Sequence, residues 1–363
     1  MYKVRKISEY EDFLGLKEQW NLLVQKTESK SIFLIHEWAD SWWQSFQEGC
    51  KLYILLVEFT DELVGIAPLV QNLREHSISF LGSPNADYGG VIGPDKSLIC
   101  KEVTGFLLDN STDWDKISLD EIPERISESN LLYSAFKNKG MRVVKVPTGN
   151  CFAFQFNEQN EARKSFRFKQ KSKLQNLLNN LKKQGELTLT ELSGDQITNN
   201  SLELLFEQHM ERWKNTPTPS KFLNKNDKGF YVSLTRNLAD QKRVKLYLLK
   251  IDDELVSLKF VFILNDTVYM YTPSYNIAYS KYSPGKLINR MLVEKLIRDG
   301  YSRLDFGKGD ESYKKSFTNE SGMNYSIKVF KSYPRYLYAR TYQALKQSAL
   351  GKHLIILKKK LMK

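Results

Sequence analysis

The sequence predicts a mixed α/β fold, with helices around a mixed sheet, in which one plan of strands and helices occurs twice. Three observations support this prediction. Several short segments alternate apolar and polar residues with period two, helical patterns separate some of them, and a four-residue string recurs. With 41% hydrophobic and 12% aromatic residues in a chain of 363, each copy can bury a core of its own.

The first copy begins with two strands, 52–59 and 62–73, on either side of a turn at Thr60-Asp61. Strands and helices then follow in the order strand, helix, strand, helix, strand. Their predicted bounds are 77–82, 98–109, 114–119, 123–138 and 141–146.

The second copy repeats this order from a hairpin around Asp252-Asp253. A helix is predicted to begin at Pro284, which suits a first turn, and to end at Asp299-Gly300. The predicted strands are 244–251, 254–263, 267–275, 302–306 and 323–330.

A repeated string indicates that the two copies arose by duplication. Asp61-Glu62-Leu63-Val64 recurs as Asp253-Glu254-Leu255-Val256, 192 residues later, with matching apolar neighbours. Since the order of elements also matches, the sequence predicts an internal duplication.

A lysine-rich segment between the copies predicts a long amphipathic helix ending near Gly185, followed by a strand. Two interpretations of its lysines stay open. They form a solvated helix face, or they form a positive wall beside an active site. The apolar positions of this helix are Phe166, Leu174, Leu177, Leu178 and Leu181.

The formal net charge of +12 is concentrated at the end of the chain. From Phe330 onward there are nine Lys or Arg residues and no acidic residue. Such a tail suits an anionic partner, whereas the rest of the chain is not a polycationic nucleic-acid surface. For 336–363 the sequence predicts a basic amphipathic segment that covers the second half of the protein or lies on an anionic inner membrane surface, and we expect a packed helix whose end contacts the membrane.

Cysteines, histidines and tryptophans favour ordinary structural roles. Three widely spaced cysteines and four histidines without ligand spacing predict no disulfide framework and no metal site. Trp38, Trp42 and Trp43 have helical spacing, which favours core packing over a sugar-stacking platform. The start lacks the apolar region of a signal peptide, and no apolar run approaches about 20 residues, so we expect a cytoplasmic protein.

The stretch "YSPGKL" (282–287) has the features of an anion-binding helix start. Ser283 can cap the helix, Pro284 needs no acceptor, and Gly285 lets a phosphate approach the backbone. Lys286 and Arg290 add positive charge. The stretch "LDFGKGDESYKKSF" (304–317) then places charged groups and glycines after a strand end, where catalytic groups are often carried.

Five motifs resemble, in order and spacing, the double-GNAT proteins of the CelD/BcsL type, over roughly residues 1–335. Those proteins are acetyltransferases associated with cellulose and other exopolysaccharide synthesis, and they are relatives of the Fem peptidyltransferases. One departure is that the usual glycine-rich run of GNAT enzymes is missing and only Gly285 is present. The motifs are "DELVGIAPLV" (61–70), "FLGSPNADYGG" (80–90), "HMERW" (209–213), "YSPGKL" (282–287) and "LDFGKGDESYKKSF" (304–317).

The resemblance implies a tandem GNAT acyl-CoA N-acyltransferase fold: an N-terminal domain at 1–155 on the acceptor side, a C-terminal domain at 156–335 for donor binding and catalysis, and the tail 336–363. It also implies acetyl-CoA or another acyl-CoA as co-substrate. The residues expected to bind this donor are Ser283, Gly285, Lys286, Leu287 and Arg290.

The resemblance and the chemistry of acyl transfer together give the remaining site residues. The expected catalytic residues are Lys314, Asp305 and Tyr313, and the expected substrate-binding residues are Asp87, Tyr88 and Tyr275. Lys314 would stabilise negative charge in the transition state. Asp305 and Asp310 are candidate bases, and Tyr271, Tyr275 and Tyr313 are candidate acids. Where related sequences commonly carry Tyr-Asp, this chain has Tyr275-Asn276, so no carboxylate base is available there.

The expected function is transfer of an acyl group from acyl-CoA to an amine or hydroxyl of a nucleotide-linked or lipid-linked sugar in surface polysaccharide synthesis. Two alternatives stay open. One is a Fem-like peptidyltransferase that uses aminoacyl-tRNA, the only reading in which a nucleic acid is a partner. The other is a catalytically inactive scaffold of a polysaccharide synthase.

Overall fold

The structure, a computed structural model, describes residues 1–156 and 161–347, and the side chains of these residues except 161–171 and 346–347. The strands are β1 Tyr2–Ile7, β2 Cys50–Leu52, β3 Ile54–Phe59, β4 Glu62–Ala67, β5 Leu69–Asn72, β6 Ser77–Phe80, β7 Lys116–Pro123, β8 Arg142–Gln155, β9 Leu187–Ser193, β10 Val244–Ile251, β11 Glu254–Leu264, β12 Thr267–Tyr275, β13 Arg303–Lys308 and β14 Glu320–Phe330. The helices are α1 Tyr10–Leu14, α2 Lys17–Lys26, α3 His36–Phe46, α4 Lys96–Asp109, α5 Glu128–Asn138, α6 Glu161–Lys182, α7 Asn199–Trp213, α8 Lys225–Ala239, α9 Pro284–Arg298, α10 Lys314–Phe317 and α11 Tyr333–Gln347.

The chain forms two compact units. Unit 1 comprises Met1–Gly149 and Met323–Lys363, and unit 2 comprises Asn150–Gly322. This division differs from the predicted boundaries at 155 and 335. The end of β8, from residue 150, pairs with β13 of unit 2, and β14 pairs antiparallel with β7 of unit 1. Each unit is therefore completed by a strand that lies outside the predicted domain.

In unit 1, the strand order β2-β5-β6-β7-β14-β8 forms one sheet, and β1-β3-β4 forms a second. The two long strands predicted for 52–59 and 62–73 are each divided, at Tyr53 and at Pro68. Pro68 has no N–H to donate to a neighbouring strand, so it ends one strand and allows the next to join the other sheet. Trp38, Trp42 and Trp43 are at most 8% exposed, which confirms their core role.

In unit 2, the strand order is β8-β13-β12-β11-β10-β9. The predicted bounds of β10, β12 and α9 agree with the structure, because each has a clear turn or proline at its ends. The core lies between the sheet and one face of α9, formed by Leu287, Ile288, Leu292, Val293 and Leu296.

The two units share the predicted duplicated plan down to strand register. In the β3–β4 and β10–β11 hairpins, Leu55 pairs with Ala67 and Tyr247 pairs with Lys259, again 192 residues apart. A β-bulge falls between Val57 and Glu58 in the first hairpin and at the equivalent place, between Leu249 and Lys250, in the second. Ala67 and Lys259 are therefore equivalent positions.

The lysine-rich helix and the tail are described only in part. Leu174 and Leu181 of α6 are buried in the core of unit 2, as predicted, whereas Phe166 lies outside the described side chains. In the tail, α11 contacts β8 of unit 1, where Gln343 Nε2 donates to Lys145 O at 2.8 Å. Residues 348–363 lie outside the described part of the chain.

Candidate active site

The site in unit 2 is created by two parallel strands that separate. β12 and β13 pair only at Thr267, Val268 and Tyr269 and their partners on β13. Beyond that point the two strands are not paired with each other. α9 follows β12 and begins beside this separation, as the plan of the sequence predicts.

A cavity of about 270 Å³ lies at the start of α9. Its lining comes from α7, β11, β12, the start of α9 and the loop before α10. The lining residues are Arg212, Lys259, Pro273, Ser274, Tyr275, Ser280, Ser283, Pro284, Gly285, Lys286, Ser312 and Tyr313. The lining therefore carries three basic side chains and no carboxylate or imidazole among the described residues.

Lys259 is the most unusual of these residues. It lies in the middle of β11 and is 2% exposed. Burial, together with the charges of Arg212 and Lys314, lowers the pKa of Lys259 to about 7. Near neutral pH the Lys259 amine is therefore uncharged in a large fraction of the protein molecules.

Arg212 is held at the cavity by a strand end and an aromatic ring. Its Nη1 donates to Pro273 O at 3.2 Å, and its guanidinium lies 4.4 Å from the centre of the Tyr275 ring. Three residues earlier in α7, the buried His209 has its Nδ1 2.8 Å from Ser220 Oγ, which fixes this end of the helix. Arg212 is thus oriented without a carboxylate partner among the described residues, and its charge is available to an anion.

Tyr275 and Tyr313, both predicted site residues, line the cavity. Burial and the nearby charge of Glu311 raise the pKa of Tyr313 above its ordinary value. Its phenol therefore keeps its proton at neutral pH and can act as a donor but not as a base.

Lys314 and Asp305 are buried beside the cavity but are not among its lining residues. Lys314 Nζ donates to Lys308 O at 2.7 Å and forms an ion pair with Glu311 Oε2 at 3.1 Å. Asp305 Oδ1 accepts from the Gly307 N–H at 2.8 Å. Lys314 therefore holds the loop between β13 and α10, whereas the Asp305 bond to Gly307 lies within β13.

Three of the predicted donor-binding residues, Ser283, Gly285 and Lys286, lie together on the cavity wall. Ser283 has left-handed backbone angles (φ 53°, ψ 51°) and makes no side-chain cap bond, contrary to its predicted capping role. Its carbonyl instead accepts from the Lys286 and Leu287 N–H groups at 2.9 and 3.2 Å. An added Cβ at Gly285 would meet Tyr275 Cδ1 at 3.6 Å, an ordinary contact, so the fold itself does not require glycine there.

The side chains of Leu287 and Arg290, also predicted to bind the donor, do not line the cavity. Leu287 is fully buried in the core of unit 2, so only its backbone is near the helix start. Arg290 Nη2 donates to Gln175 Oε1 of α6 at 2.8 Å, and its Nε lies 3.4 Å from Glu294 Oε1. The predicted charge contribution of Arg290 is therefore directed at α6 and α9.

Asp87 and Tyr88 belong to unit 1. Asp87 O accepts from Asn324 Nδ2 at 2.8 Å, and the Tyr88 ring packs 5.7 Å from that of Phe33. Tyr88 lines a small cavity of about 10 Å³, which is about the space of one water molecule.

The equivalent helix start in unit 1 is filled by the protein itself. Asp95 Oδ1 caps α4 by accepting from the Leu98 N–H at 2.9 Å. The next residue, Lys96, is buried and pairs with the fully buried Glu128 at 3.0 Å. Glu128 Oε1 also accepts from the Val91 N–H at 2.7 Å.

Sequence reasoning missed Lys259 as a site residue and gave Arg212 no role. For Lys259 a signal exists: a lysine interrupts the apolar run of β11, and the 192-residue offset pairs it with an alanine. For Arg212 the motif "HMERW" marks the place, but nothing local shows that this side chain reaches a strand end 61 residues away.

Two further properties concern only the described residues. No group of three or more His, Cys, Asp or Glu side chains in this part of the chain is placed to hold a metal ion.

The described helices include none that combines the length and apolar character required to cross a membrane.

Comparison with family models matches residues 169–315 to the acetyltransferase (GNAT) domain family. This segment includes most of α6 and the whole cavity lining. No curated protein matches the sequence significantly.

Several solved structures share the fold across most of the chain. The crystal structure of FemX has a TM-score of 0.62 at 12% identity, covering 93% of this chain and 99% of that one. L-PGS from Bacillus licheniformis has a TM-score of 0.56 at 11% identity, covering 90% and 96%. A conserved protein of unknown function from Bacteroides thetaiotaomicron has a TM-score of 0.53 at 11% identity, covering 91% and 100%.

The matched domain lies within unit 2, where residues 169–315 are similar to GNAT acetyltransferase domains. Unit 1 repeats the hairpin register of unit 2 at an offset of 192 residues. At 11–12% identity the solved structures establish the fold alone.

Proposed function

We propose that the protein is an acyltransferase that binds an acyl-CoA donor in the unit 2 cavity and transfers the acyl group to an amine or hydroxyl of a sugar. The observation that supports this most strongly is the cationic cavity at the start of α9, within the segment matched to the acetyltransferase (GNAT) domain. As at any helix start, the first-turn N–H groups and the helix dipole favour an anion. Lys286 and Arg212 add positive charge to the cavity lining, and Arg212 is held in place by its bond to Pro273 O.

The donor would be held by its phosphates at Gly285 and Lys286, with its acyl end toward the separated strands β12 and β13. Backbone N–H groups of β12 are the natural donors to the oxygen of the reacting carbonyl, because that strand has lost its parallel neighbour beyond Tyr269. Tyr313, which keeps its proton, can protonate the departing thiolate.

The sugar acceptor is supported by the resemblance to CelD/BcsL-type proteins and by the chemistry of the lining. Hydroxyls of Ser274, Ser280 and Ser312, together with the ring of Tyr275, offer polar and aromatic contacts to a polyhydroxy compound. Lys314 would contribute by holding the loop that carries Ser312 and Tyr313, and Asp305 by fixing the end of β13 from which that loop starts.

Calorimetric titration of acetyl-CoA into the wild-type protein and two variants tests the donor. Gly285→Asp places a carboxylate where the phosphate would bind and should weaken binding by about 100-fold or more, while an acid in a first helical turn does not harm the helix. The matched control Gly285→Ala has room for its Cβ and should stay foldable. Failure of the wild-type protein to bind, or equal binding by Gly285→Asp, would contradict the donor assignment.

The same titration with aminoacyl-tRNA tests the Fem-like alternative. Aminoacyl-tRNA is a second candidate donor because the chain lacks the usual glycine-rich pyrophosphate-binding run of GNAT enzymes. Of that run, only Gly285 is present. Binding of aminoacyl-tRNA without binding of acetyl-CoA would replace the acyl-CoA proposal with the peptidyltransferase.

We also propose that the basic tail contacts an anionic membrane. α11 exposes Tyr338 and Tyr342 and carries Arg335 and Arg340, a combination that suits a lipid interface. Co-sedimentation with phosphatidylglycerol vesicles, and none with phosphatidylcholine vesicles, is expected. Equal behaviour with both vesicles would contradict the electrostatic contact.

A further inference from the structure

The unit 2 cavity contains an amine that the surrounding protein does not neutralise. Lys259 is almost completely buried and lines the cavity, and no carboxylate of the described residues lies within ion-pair distance of its Nζ. Holding an unpaired ammonium in such a place is costly, so the side chain releases its proton instead. A free amine in a cavity is a proton acceptor.

The groups around Lys259 favour this neutral state. Arg212 from α7 and Lys314 from α10 act on it with positive charge, and Glu311, in the loop before α10, opposes them. The charge of Glu311 is offset by its ion pair with Lys314, and its side chain is 56% exposed. Of the remaining lining groups, Lys286 is a further basic side chain, and burial together with the charge of Glu311 raises the pKa of Tyr313.

Other bases are unavailable in the cavity. Asp305, the base suggested by the sequence, accepts from the Gly307 N–H and lies 3.6 Å from Arg303 Nη2. Asp310, the second candidate, is exposed and accepts from Asn150 Nδ2 at 2.6 Å. Neither belongs to the lining.

We propose that Lys259 is the general base of the acyl transfer, an assignment that rests on the proposed function. The acceptor nitrogen or oxygen attacks the acyl carbon, and its bond to that carbon forms as the carbon–sulfur bond breaks. Nζ of Lys259 takes the proton that the acceptor loses, and Oη of Tyr313 gives a proton to the departing thiolate. Return of a proton from the ammonium to the phenolate through solvent restores both groups.

Burial lowers the pKa of Lys259 and raises that of Tyr313, so the proposed base is available without its proton and the proposed acid keeps its proton. Lys259 holds its proton weakly and Tyr313 holds its proton strongly, because each favours its neutral form in the cavity. Unit 1 has Ala67 at the position equivalent to Lys259 and therefore lacks this base.

The first test measures the ionisation of Lys259 and needs no substrate. Trace acetic anhydride is added to the intact protein over a range of pH, and acetylation of individual lysines is quantified by mass spectrometry. Lys259 should reach half of its maximal labelling near pH 7, well below the pH expected for a lysine in a model peptide, and the exposed Lys225 serves as the reference lysine in the same sample. Titration of Lys259 together with Lys225, or no labelling of Lys259 at any pH, would overturn the proposal.

The second test measures the catalytic role by thiol release from acetyl-CoA with D-glucosamine as acceptor. Lys259→Met should leave the Kd for acetyl-CoA within about twofold, lower kcat by about 100-fold or more, and remove the limb of the pH profile near 7. Lys225→Met is the matched control and should behave as wild type.

The outcomes of the two tests distinguish failure of the base assignment from failure of the proposed acyltransferase function. Retention of rate and pH limb by Lys259→Met, with acetyl-CoA still bound, would overturn the base assignment and leave the proposed function standing. A Lys259 that titrates near pH 7 in a protein that binds no acetyl-CoA, or transfers nothing to glucosamine, would contradict the proposed function, and the base assignment would fall with it.

Discussion

The two units begin their central helices at equivalent points of one plan, but they complete those helix starts in opposite ways. At α4 the protein supplies the partners itself: Asp95 caps the helix, and Lys96 is paired with the buried Glu128. At α9 the capping position is Ser283, whose side chain makes no cap bond, and a cavity of about 270 Å³ lies beside it. The first start is complete without a ligand, and the second leaves room for one.

The buried lysines show the same contrast. Lys96 has a carboxylate partner, and Lys259 has none among the described residues. Unit 1 replaces Lys259 with Ala67 at the matching register position. The comparison teaches that a duplicated fold can keep its strand register and bulges while one copy pairs its buried lysine with a carboxylate and the other keeps a buried lysine without one among the described residues.

The largest effect is expected for the ion pair of unit 1. Glu128→Gln leaves the Lys96 ammonium buried without a counter-charge, so the free energy of unfolding should fall by about 3–5 kcal/mol in urea denaturation. The control is Glu203→Gln, which removes the partly exposed Lys228–Glu203 pair and should cost less than about 1 kcal/mol. Similar losses from both variants would remove the distinction between a buried and a surface pair.

Removing the buried lysine of unit 2, Lys259, should raise the free energy of unfolding, whereas removing the partner of Lys96 lowers it. The pKa of Lys259 is about 7 in the folded protein and about 10.4 in the unfolded chain, so folding releases a proton between these values. Wild-type stability should therefore rise with pH from about 7 to about 10, and Lys259→Met should lack this rise.

At pH 6 the free energy of unfolding of Lys259→Met should exceed that of wild type by roughly 2–4 kcal/mol, and the gap should narrow toward pH 10. Urea denaturation at several pH values measures it, with Lys225→Met as the surface control. A gap that does not change with pH would show that Lys259 keeps its proton on folding.

A smaller difference is expected between two glycines near the helix starts. Gly93 has φ +133°, and an added Cβ would lie 2.6 Å from both Ile99 Cδ1 and Val64 O, so Gly93→Ala should cost about 1–3 kcal/mol. Gly285→Ala should change stability by less than about 0.5 kcal/mol, because its Cβ has room. Thermal unfolding of both variants checks this, and an equal loss would mean that unit 2 is packed as tightly as unit 1 at this point.

The smallest effect concerns the caps. Asp95→Ala removes an observed cap bond and should lower the free energy of unfolding by about 1 kcal/mol. Ser283→Ala removes no cap bond and should cost less than about 0.5 kcal/mol. Denaturant unfolding of the pair gives the comparison, and a loss at Ser283 as large as that at Asp95 would contradict the uncapped start of α9.

Elements bounded by local signals could be predicted from the sequence. β10, β12 and α9 have turns, alternation or a proline start that act within a few residues, and their bounds agree with the structure. The pairing of β8 with β13 and of β14 with β7 could not be predicted, because the paired residues are 148 to 214 positions apart and leave no local pattern.

The candidate site was predictable as a place and less so as a set of side chains. Ser283, Gly285, Lys286, Tyr275 and Tyr313 follow from a helix start and its neighbouring segments, and all five line the cavity. Leu287 and Arg290 show the limit: helical phase directs one into the core and the other toward α6. Lys259 was missed because its role depends on burial without a carboxylate partner among the described residues. Both properties are set by tertiary contacts and leave no local sequence pattern.

The most direct measurement of the contrast between the two helix starts is amide hydrogen exchange with and without acetyl-CoA. Added acetyl-CoA should slow exchange at residues 285–287 of unit 2 and leave residues 96–99 of unit 1 unchanged, because the start of α9 has a cavity beside it, whereas the start of α4 is capped and paired by the protein itself. Protection at 96–99, or at neither helix start, would contradict the assignment of donor binding to unit 2.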